Sequence, residues 1–278
     1  MTKIFDIKLY DKGYKELFGK ITKFDIQQIV FTPNPEILLK TIEDEEFKNL
    51  LLKANFLTID WIGIYLWLQI KDFKLFKNKK INALFVLLTM PYFIFNIFFR
   101  KNFLYKKYWE RICWSDLTND LVKYAQKNNI KIIIIDPYYP EDLAKVESQK
   151  NFRTNLLKKF PKLNFDFFIY KENEKNNIIQ KIKNSKSQIL FSTLWMKKQE
   201  KSVIEIMKNC NNIKVWLAIW SSFDYFVWFQ KRAPKFLRTL WFEWLYRLIS
   251  WPQKIKRLKR LYNATFVFIY KVFKKHVF

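Results

Sequence analysis

The sequence predicts an α/β fold in which helices cover both faces of a mostly parallel sheet. Short β-branched segments alternate with longer helical segments along most of the chain, which is the pattern of successive βα units. Residues 131–135 form an unbroken run of one lysine and four isoleucines, as expected for a strand covered on both faces. The chain of 278 residues, half of them apolar, suffices for one large domain with an appendage.

The predicted elements follow one another as strand and helix from residue 25 onward. Residues 25–31 predict a strand that runs into Thr-Pro-Asn-Pro-Glu at 32–36, and proline and glutamate there predict the first turn of a helix over 35–46. A short strand at 55–59 ends at Asp60. The remaining predicted strands are 131–135, 165–170, 188–192 and 214–219, and the remaining helices are 115–127, 141–160, 174–185 and 198–209.

Cysteine and histidine are too scarce for several kinds of catalytic site. The chain has two cysteines, Cys113 and Cys210, and a single histidine, His276. This excludes a Cys/His zinc site and makes a histidine-dependent triad implausible. Proton transfer must then fall to a carboxylate, a lysine or a tyrosine.

The strong positive charge indicates a polyanionic partner. Lysine and arginine outnumber aspartate and glutamate by 51 to 25, for a net charge of +26. Nucleic acid, anionic lipid and a phosphorylated substrate all fit such a field. The aromatic residues are mostly phenylalanines in core-like runs, and no helix-turn-helix or lysine–aromatic strand is evident, so nucleic acid is the weakest alternative.

Two segments depart from the strand and helix alternation. Residues 81–99 carry no charge, are long enough to span a membrane and have basic residues on both sides. Because both flanks are basic and Pro91 lies mid-segment, we expect a re-entrant or interfacial helical hairpin; buried helices or a dimer interface are the alternatives. From residue 247, basic residues surround an apolar series of helical period, which predicts an amphipathic tail.

Polar residues that follow the first two predicted parallel strands should share the substrate cleft. Thr32 and Asn34 follow one strand and Asp60 follows the next. In parallel α/β sheets, ligands bind beyond the carboxyl ends of the strands. A lone aspartate after a strand is more often a cap or turn residue, so further motifs are needed to assign it a role.

An ordered series of motifs runs from about residue 25 to residue 260. The motifs are TPNPE (32–36), IDWIGI (59–64), ERICWSDL (110–117), KQE (198–200), SFD (222–224), KRAP (231–234) and FEWLYRL (242–248). This series resembles the bacterial N-acetylmannosaminyltransferase family of wall teichoic acid, enterobacterial common antigen and capsule synthesis.

The resemblance implies an inverting glycosyltransferase that uses no metal and no cofactor, with a Rossmann-like, GT-E-like domain. Asp60 matches the proposed general base of the family, and Thr32 and Asn34 match polar residues beside the donor sugar. Arg111 and Gln199 match residues of the donor pocket. Asp224 matches a residue that contacts the nucleoside. Arg247, Lys254 and Arg257 match cations of the family's C-terminal appendage, which suit a diphosphate at the membrane. At position 254, lysine stands where the family usually has arginine.

The chain departs from this family mainly at glycine positions. It contains only 3 glycines but 11 tryptophans. Tryptophan stands where the family has glycine at Trp61, Trp114, Trp195, Trp220, Trp228 and Trp241. We hypothesise that the source organism reads UGA as glycine; a decayed, inactive paralogue is the alternative. Trp67, Trp109, Trp216 and Trp251 are undecided. Lys197 replaces a usual proline, and Asp136 falls where a glycine-rich loop is usual.

The sequence-based expectation is therefore a glycosyltransferase at the cytoplasmic face of the membrane, peripheral or monotopic. Residues 1–246 should form the catalytic domain, with a membrane-associating insertion at about 77–107, and residues 247–278 the basic appendage. The substrates would be a UDP-sugar, carrying N-acetylmannosamine or a related hexose, and an undecaprenyl-diphosphate-linked sugar. The donor sugar, the acceptor and any homo-oligomer are left open by the sequence.

Overall fold

The computed structural model describes residues 3–58, 60, 63–73, 78–227, 231–239, 242–250 and 254–277. The strands are β1 (Lys3–Ile4), β2 (Ile7–Lys8), β3 (Gln28–Phe31), β4 (Phe56–Leu57), β5 (Ile132–Pro137), β6 (Phe165–Tyr170), β7 (Ile189–Ser192) and β8 (Val215–Ala218). The α-helices are α1 (Tyr14–Ile21), α2 (Pro35–Glu43), α3 (Glu45–Leu51), α4 (Gly63–Asp72), α5 (Lys79–Phe99), α6 (Lys101–Tyr108), α7 (Trp114–Lys127), α8 (Leu143–Lys150), α9 (Phe152–Lys159), α10 (Lys175–Asn184), α11 (Lys198–Met207), α12 (Lys235–Thr239), α13 (Glu243–Ser250), α14 (Lys254–Tyr262) and α15 (Phe268–Val277).

A six-stranded parallel sheet in the order β4-β3-β8-β7-β5-β6 forms the centre of the molecule. All of its pairings are parallel, and β1 and β2 form a separate antiparallel hairpin. The expected α/β fold with a parallel sheet is confirmed. Because the strands run in parallel, the segments that follow them collect at one rim of the sheet.

Helices cover the sheet on both faces, as the continuous isoleucine run of β5 predicts. Ile132 and Ile134 pack into a core that includes residues of α1, α7 and α9. Ile133 and Ile135 pack into the core on the opposite face, with residues of α2, α4, α11 and α15. The side chains of a strand alternate between the two faces, so an all-apolar strand is buried on both.

The helix expected over residues 141–160 is two helices, α8 and α9, which meet at Asn151. The Asn151 amide nitrogen donates to the Glu147 carbonyl at 3.3 Å and to its carboxylate at 2.6 Å. The backbone N–H of Asn151 donates to the same carbonyl at 3.2 Å, so the last helical bond of α8 is kept. Helix α8 ends there because the backbone of Asn151 leaves the helical angles, with φ −90° and ψ 2°, where hydrophobic periodicity alone predicts continuation.

The uncharged segment 81–99 lies in one helix rather than in two arms. Helix α5 continues through Pro91, and the chain turns at Arg100, whose backbone has φ −120° and ψ 41°. The one hydrogen bond that Pro91 removes is outweighed by the packing of α5 on α4. Among the described residues, no single helix is long and apolar enough to cross a membrane. The segments Leu84–Phe99 and Lys101–Tyr108, with a bend of 96° between them, reach that length and apolar composition only when they are taken together.

The predicted C-terminal appendage, residues 247–278, contains the second half of α13, then α14, a π-helical stretch at Asn263–Val267 and α15. Helix α15 packs against α2, α4 and α5, and its Phe268 is fully buried beside Phe5. The appendage therefore lies on the same face of the sheet as α5. The apolar residues Ile255, Leu258, Tyr262 and Phe266 of the predicted stripe are exposed.

Candidate active site

Polar side chains from five strands or their following loops meet at the carboxyl rim of the sheet. Asp60 follows the edge strand β4, Thr32 follows β3, and Asp224 lies after β8. Thr193 follows β7, and Asp136 is near the end of β5. The outer two of these strands, β4 and β5, are separated by three others, so the rim between them is about 19 Å long at the usual strand spacing.

Thr32 and Asn34 have different local roles. The Asn34 side chain accepts a hydrogen bond from the Ile37 amide at 3.0 Å, so it caps the N-terminus of α2. The hydroxyl of Thr32 is buried and, like that of Thr58 on the next strand, has no partner within the described part of the chain. An unpartnered buried hydroxyl costs about 1–3 kcal/mol, so these two groups are candidates to bind a ligand.

Asp60 and Arg111 come together although 51 residues separate them in sequence. The Arg111 guanidinium donates to the Asp60 backbone carbonyl at 3.4 Å. Burial opposes the charge of Arg111, but Cys113, Asp60, Tyr105 and Glu243 outweigh it, and the pKa of Arg111 is raised above its usual value. The site therefore holds a fixed positive charge beside the candidate base.

The Cys113 thiol next to these groups is not activated. Burial and the neighbouring Asp60 raise its pKa to about 12. A thiol with this pKa is neutral near pH 7 and does not act as a nucleophile. Cys113 is thus a packing residue of the site.

Four charged residues of the site were not singled out from the sequence. Asp116 forms an ion pair with Arg232 at 2.8 Å and a longer one with Arg238 at 3.5 Å. The buried Glu243 lies near both Arg111 and Arg232 and raises the pKa of each. All four lie in or beside the motifs that carry the family resemblance, so those motifs could have identified them as residues of the site.

Gln199 lies in the middle of the rim, at the start of α11. Its side-chain oxygen accepts from the Trp220 amide at 3.3 Å, and its nitrogen donates to Glu200 at 2.7 Å. Glu200 is almost fully buried, and burial raises its pKa to about 7. The second carboxylate oxygen of Glu200 has no partner among the described residues.

A second charged group lies toward the β5 end of the rim. Lys145 of α8 donates to the Asp224 carboxylate at 2.8 Å. Asp136 accepts from Thr193 and, at 2.5 Å, from the Gln149 amide. Burial raises the pKa of both Asp136 and Asp224, and each lies within the electrostatic influence of Lys145. Asp136, which occupies the place of an expected glycine-rich loop, is therefore part of the site.

The appendage reaches the site through Arg260. Its guanidinium binds the Glu36 carboxylate at the N-terminus of α2, with the shortest contact at 2.7 Å, and lies over the Trp220 ring at 5.1 Å. Arg247 lies in α13, and Lys254 and Arg257 lie in α14. The side chains of these three residues lie outside the described part of the structure, so their contacts with a diphosphate stay a prediction.

Two of the seven described non-glycine residues with a positive φ, the region that favours glycine, are tryptophans. Trp220 has φ 50°, and Trp109 has φ 71° and ψ 165°. The glycine at position 13 has nearly the same angles as Trp109, φ 84° and ψ 169°. The region occupied by Trp109 is essentially restricted to glycine. Trp114 begins α7 and Trp195 follows β7, whereas Trp61, Trp228 and Trp241 lie outside the described residues.

The C-terminal two thirds of the chain match a known protein family. A family model described as "Glycosyl transferase WecG/TagA/CpsF family" matches residues 97–278, about two thirds of the chain. The matched range contains Arg111, Gln199 and Asp224 and the whole appendage. Thr32, Asn34 and Asp60 precede it.

Proposed function

The chain belongs to the WecG/TagA/CpsF glycosyltransferase family, and we propose that it transfers N-acetylmannosamine or a related hexose from a UDP-sugar to an undecaprenyl-diphosphate-linked sugar. The transfer inverts the configuration of the anomeric carbon and uses no metal. The observation that carries the proposal is the meeting of Asp60 and Arg111 at the carboxyl rim of the sheet.

Asp60 is the proposed base. Its carboxylate takes the proton of the acceptor hydroxyl while that oxygen bonds to the anomeric carbon of the donor. The bond between the anomeric carbon and the phosphate oxygen breaks at the same time, and UDP leaves with the electron pair. The near absence of histidine in the chain leaves a carboxylate as the natural choice for this step.

Arginines are proposed to take the place of a metal ion at the leaving group. Arg111 and Arg232 are close to Glu243 and Cys113 and are held in position by the packed rim. Guanidinium groups bind diphosphate oxygens in a bidentate manner and stabilise the charge that develops on UDP. The Asp224 and Asp136 group, with Lys145, lies where the nucleoside of an extended donor would reach.

The site is proposed to work at the cytoplasmic face of a membrane. The appendage carries exposed apolar residues along α14 and cations in the same helix. A basic amphipathic helix binds anionic lipid through both features. A lipid-linked acceptor would then meet the site from the side of α5 and the appendage.

Replacement of the base tests the reaction. Asp60→Asn should leave UDP binding nearly unchanged and lower the rate of sugar transfer roughly 100- to 10,000-fold, the usual worth of a positioned base. The matched control is Asp72→Asn, which changes a carboxylate at the far end of α4 and should retain the parent rate. The assay uses the chain with glycine at the six tryptophan positions, and transfer by Asp60→Asn within a few-fold of its parent would refute the assignment.

An inactive membrane-associated paralogue is the second candidate, favoured by one observation. Trp114 and Trp220 contact each other beside Cys113 and Gln199, where a ligand would need room. If both residues are tryptophan in the native protein, the proposed site is obstructed. The identity of these residues therefore separates the two functions.

A further inference from the structure

Helix α5 is apolar on its outward face as well as on its inward face. Its inward face contains Val86, Phe93 and Ile97 together with Asn82 and Asn96, all at least nine-tenths buried. Its outward face contains Leu84, Leu88, Phe95 and Phe99, which are 60%, 69%, 50% and 74% exposed. At about 100° per residue these four residues fall within an arc of about 60° on the helix.

One buried amide of α5, that of Asn96, is hydrogen-bonded to helix α4 through its nitrogen, while its oxygen has no partner among the described residues. The Asn96 side chain donates to the Gln69 side-chain oxygen at 2.9 Å, and the Gln69 nitrogen donates to the Phe93 carbonyl at 3.2 Å. These bonds fix α5 on α4 with one rotational setting. The outward apolar face is therefore a defined feature of the fold and not a helix rotated out of its core.

The charges around α5 point to the occupant of this face. No charged residue occurs between residues 81 and 99, whereas Arg100, Lys101, Lys106 and Lys107 follow directly. Arg100 is exposed at the corner where α5 turns into α6. An apolar face with a cationic border complements a bilayer whose headgroups are anionic. A second copy of the chain would bring like-charged borders together on a protein of net charge +26.

We propose that the outward face of α5 is a lipid-contact surface that lies in the interfacial and upper acyl region of an anionic membrane. This surface is continuous with the appendage, because α15 packs on α5. The Phe98 ring of α5 also stacks on Phe242, the residue before α13, with centroids 5.3 Å apart. This inference rests on the proposed membrane location of the protein and extends it. It does not depend on the proposal that Asp60 is the base.

The α5 surface ends beside the candidate active site. The corner at Arg100 leads into Lys101, and burial together with the nearby Arg111 lowers the pKa of Lys101. Lys101 and Arg111 thus form a pair of neighbouring cations between the lipid-contact surface and Asp60. A lipid whose chain lies along α5 would have its diphosphate at this corner.

A labelling experiment tests the lipid contact directly. The native thiols Cys113 and Cys210 are buried, so a new exposed cysteine can be labelled selectively. An environment-sensitive dye on Leu88→Cys should shift to shorter wavelength when vesicles of phosphatidylcholine and phosphatidylglycerol are added to the full chain. The control is the same dye on Leu143→Cys, on the 81% exposed Leu143 of α8, which should not shift.

A charge-insertion variant measures the same contact without a label. Leu84→Glu, Leu88→Glu and Phe95→Glu together should weaken vesicle binding by at least about 100-fold, because a carboxylate is costly in the acyl region. The control triple variant Ile26→Glu, Leu52→Glu and Leu143→Glu changes the net charge equally at exposed apolar residues elsewhere. It should lose much less binding. The difference should persist at about 1 M salt, which screens the basic tail.

Two results would overturn the inference. The first is vesicle binding by the labelled protein with no spectral shift at residue 88. The second is a shift without vesicles that accompanies dimer formation, which would assign the surface to a second copy. The catalytic proposal is judged separately, by transfer to a short-chain acceptor in detergent solution.

Discussion

The indole rings of Trp114 and Trp220 meet edge to face, with ring centroids 6.0 Å apart and planes at 90°. Both residues stand at positions where the family resemblance predicts glycine. The Arg260 guanidinium lies over the Trp220 ring, and the Trp220 amide binds Gln199. Two predicted glycines thus converge on one place in the candidate site, and their joint replacement would open it.

Comparison of glycine and alanine at position 220 should reveal a backbone that needs glycine. Because Trp220 has a positive φ of 50°, the free energy of unfolding of Trp220→Gly should exceed that of Trp220→Ala by about 1–2 kcal/mol. Denaturant unfolding of the two variants measures this difference. The control is Trp216 in strand β8, where alanine should be the more stable by about 0.5–1 kcal/mol. Equal stability of the two variants at 220 would show that this backbone carries no strain.

The native residues at these positions can be identified chemically. Peptides that cover Trp109 and Trp220, isolated from the source organism, should have the mass of glycine at both positions. Position 109 joins the six predicted ones because its φ and ψ lie in the region restricted to glycine. Tryptophan in these peptides, or TGG codons in the gene, would instead favour the inactive paralogue.

Removal of both indoles should create a binding site for the donor. The double variant Trp114→Gly, Trp220→Gly should bind UDP about tenfold or more tightly than the chain with tryptophan at both positions, because the space between Cys113 and Gln199 is vacated. Trp114→Phe with Trp220→Phe keeps most of the ring volume and is the matched control. Isothermal titration with UDP measures both, and similar affinities in the two double variants would exclude an obstruction by the indoles.

The buried Glu200 should make stability depend on pH. Burial raises its pKa from 4.5 to about 7, so the folded chain binds a proton that the unfolded chain releases. The stability that the protonated Glu200 contributes to the folded state is therefore present below about pH 4.5. It is lost as the pH rises to about 7, which lowers the free energy of unfolding by up to roughly 3 kcal/mol. Glu200→Gln should be more stable than the parent at pH 8 and should flatten this dependence in urea unfolding. The same change at the exposed Glu147 should leave the pH dependence of the parent in place.

The secondary structure and the parallel sheet follow from local sequence. The isoleucine run of β5 and the strand predicted at Phe165–Tyr170 are found at nearly the predicted residues, because apolar periodicity within a few residues decides them. Asp60 and Thr32 are likewise placed at the rim by the strands they follow. Helix boundaries such as Asn151 are less predictable, since one residue that leaves the helical backbone angles shifts them.

Only the tertiary structure decides which charges meet and which face of α5 points outward. The Lys145–Asp224 and Asp116–Arg232 pairs join residues 79 and 116 positions apart, and no local pattern contains that information. For α5, the sequence is apolar on every face, and it does not show that Val86, Phe93 and Ile97 pack inward beside the two amides. In this setting of the helix the Asn96 nitrogen donates to the Gln69 side chain on α4, and a buried donor is stabilised where the fold supplies an acceptor.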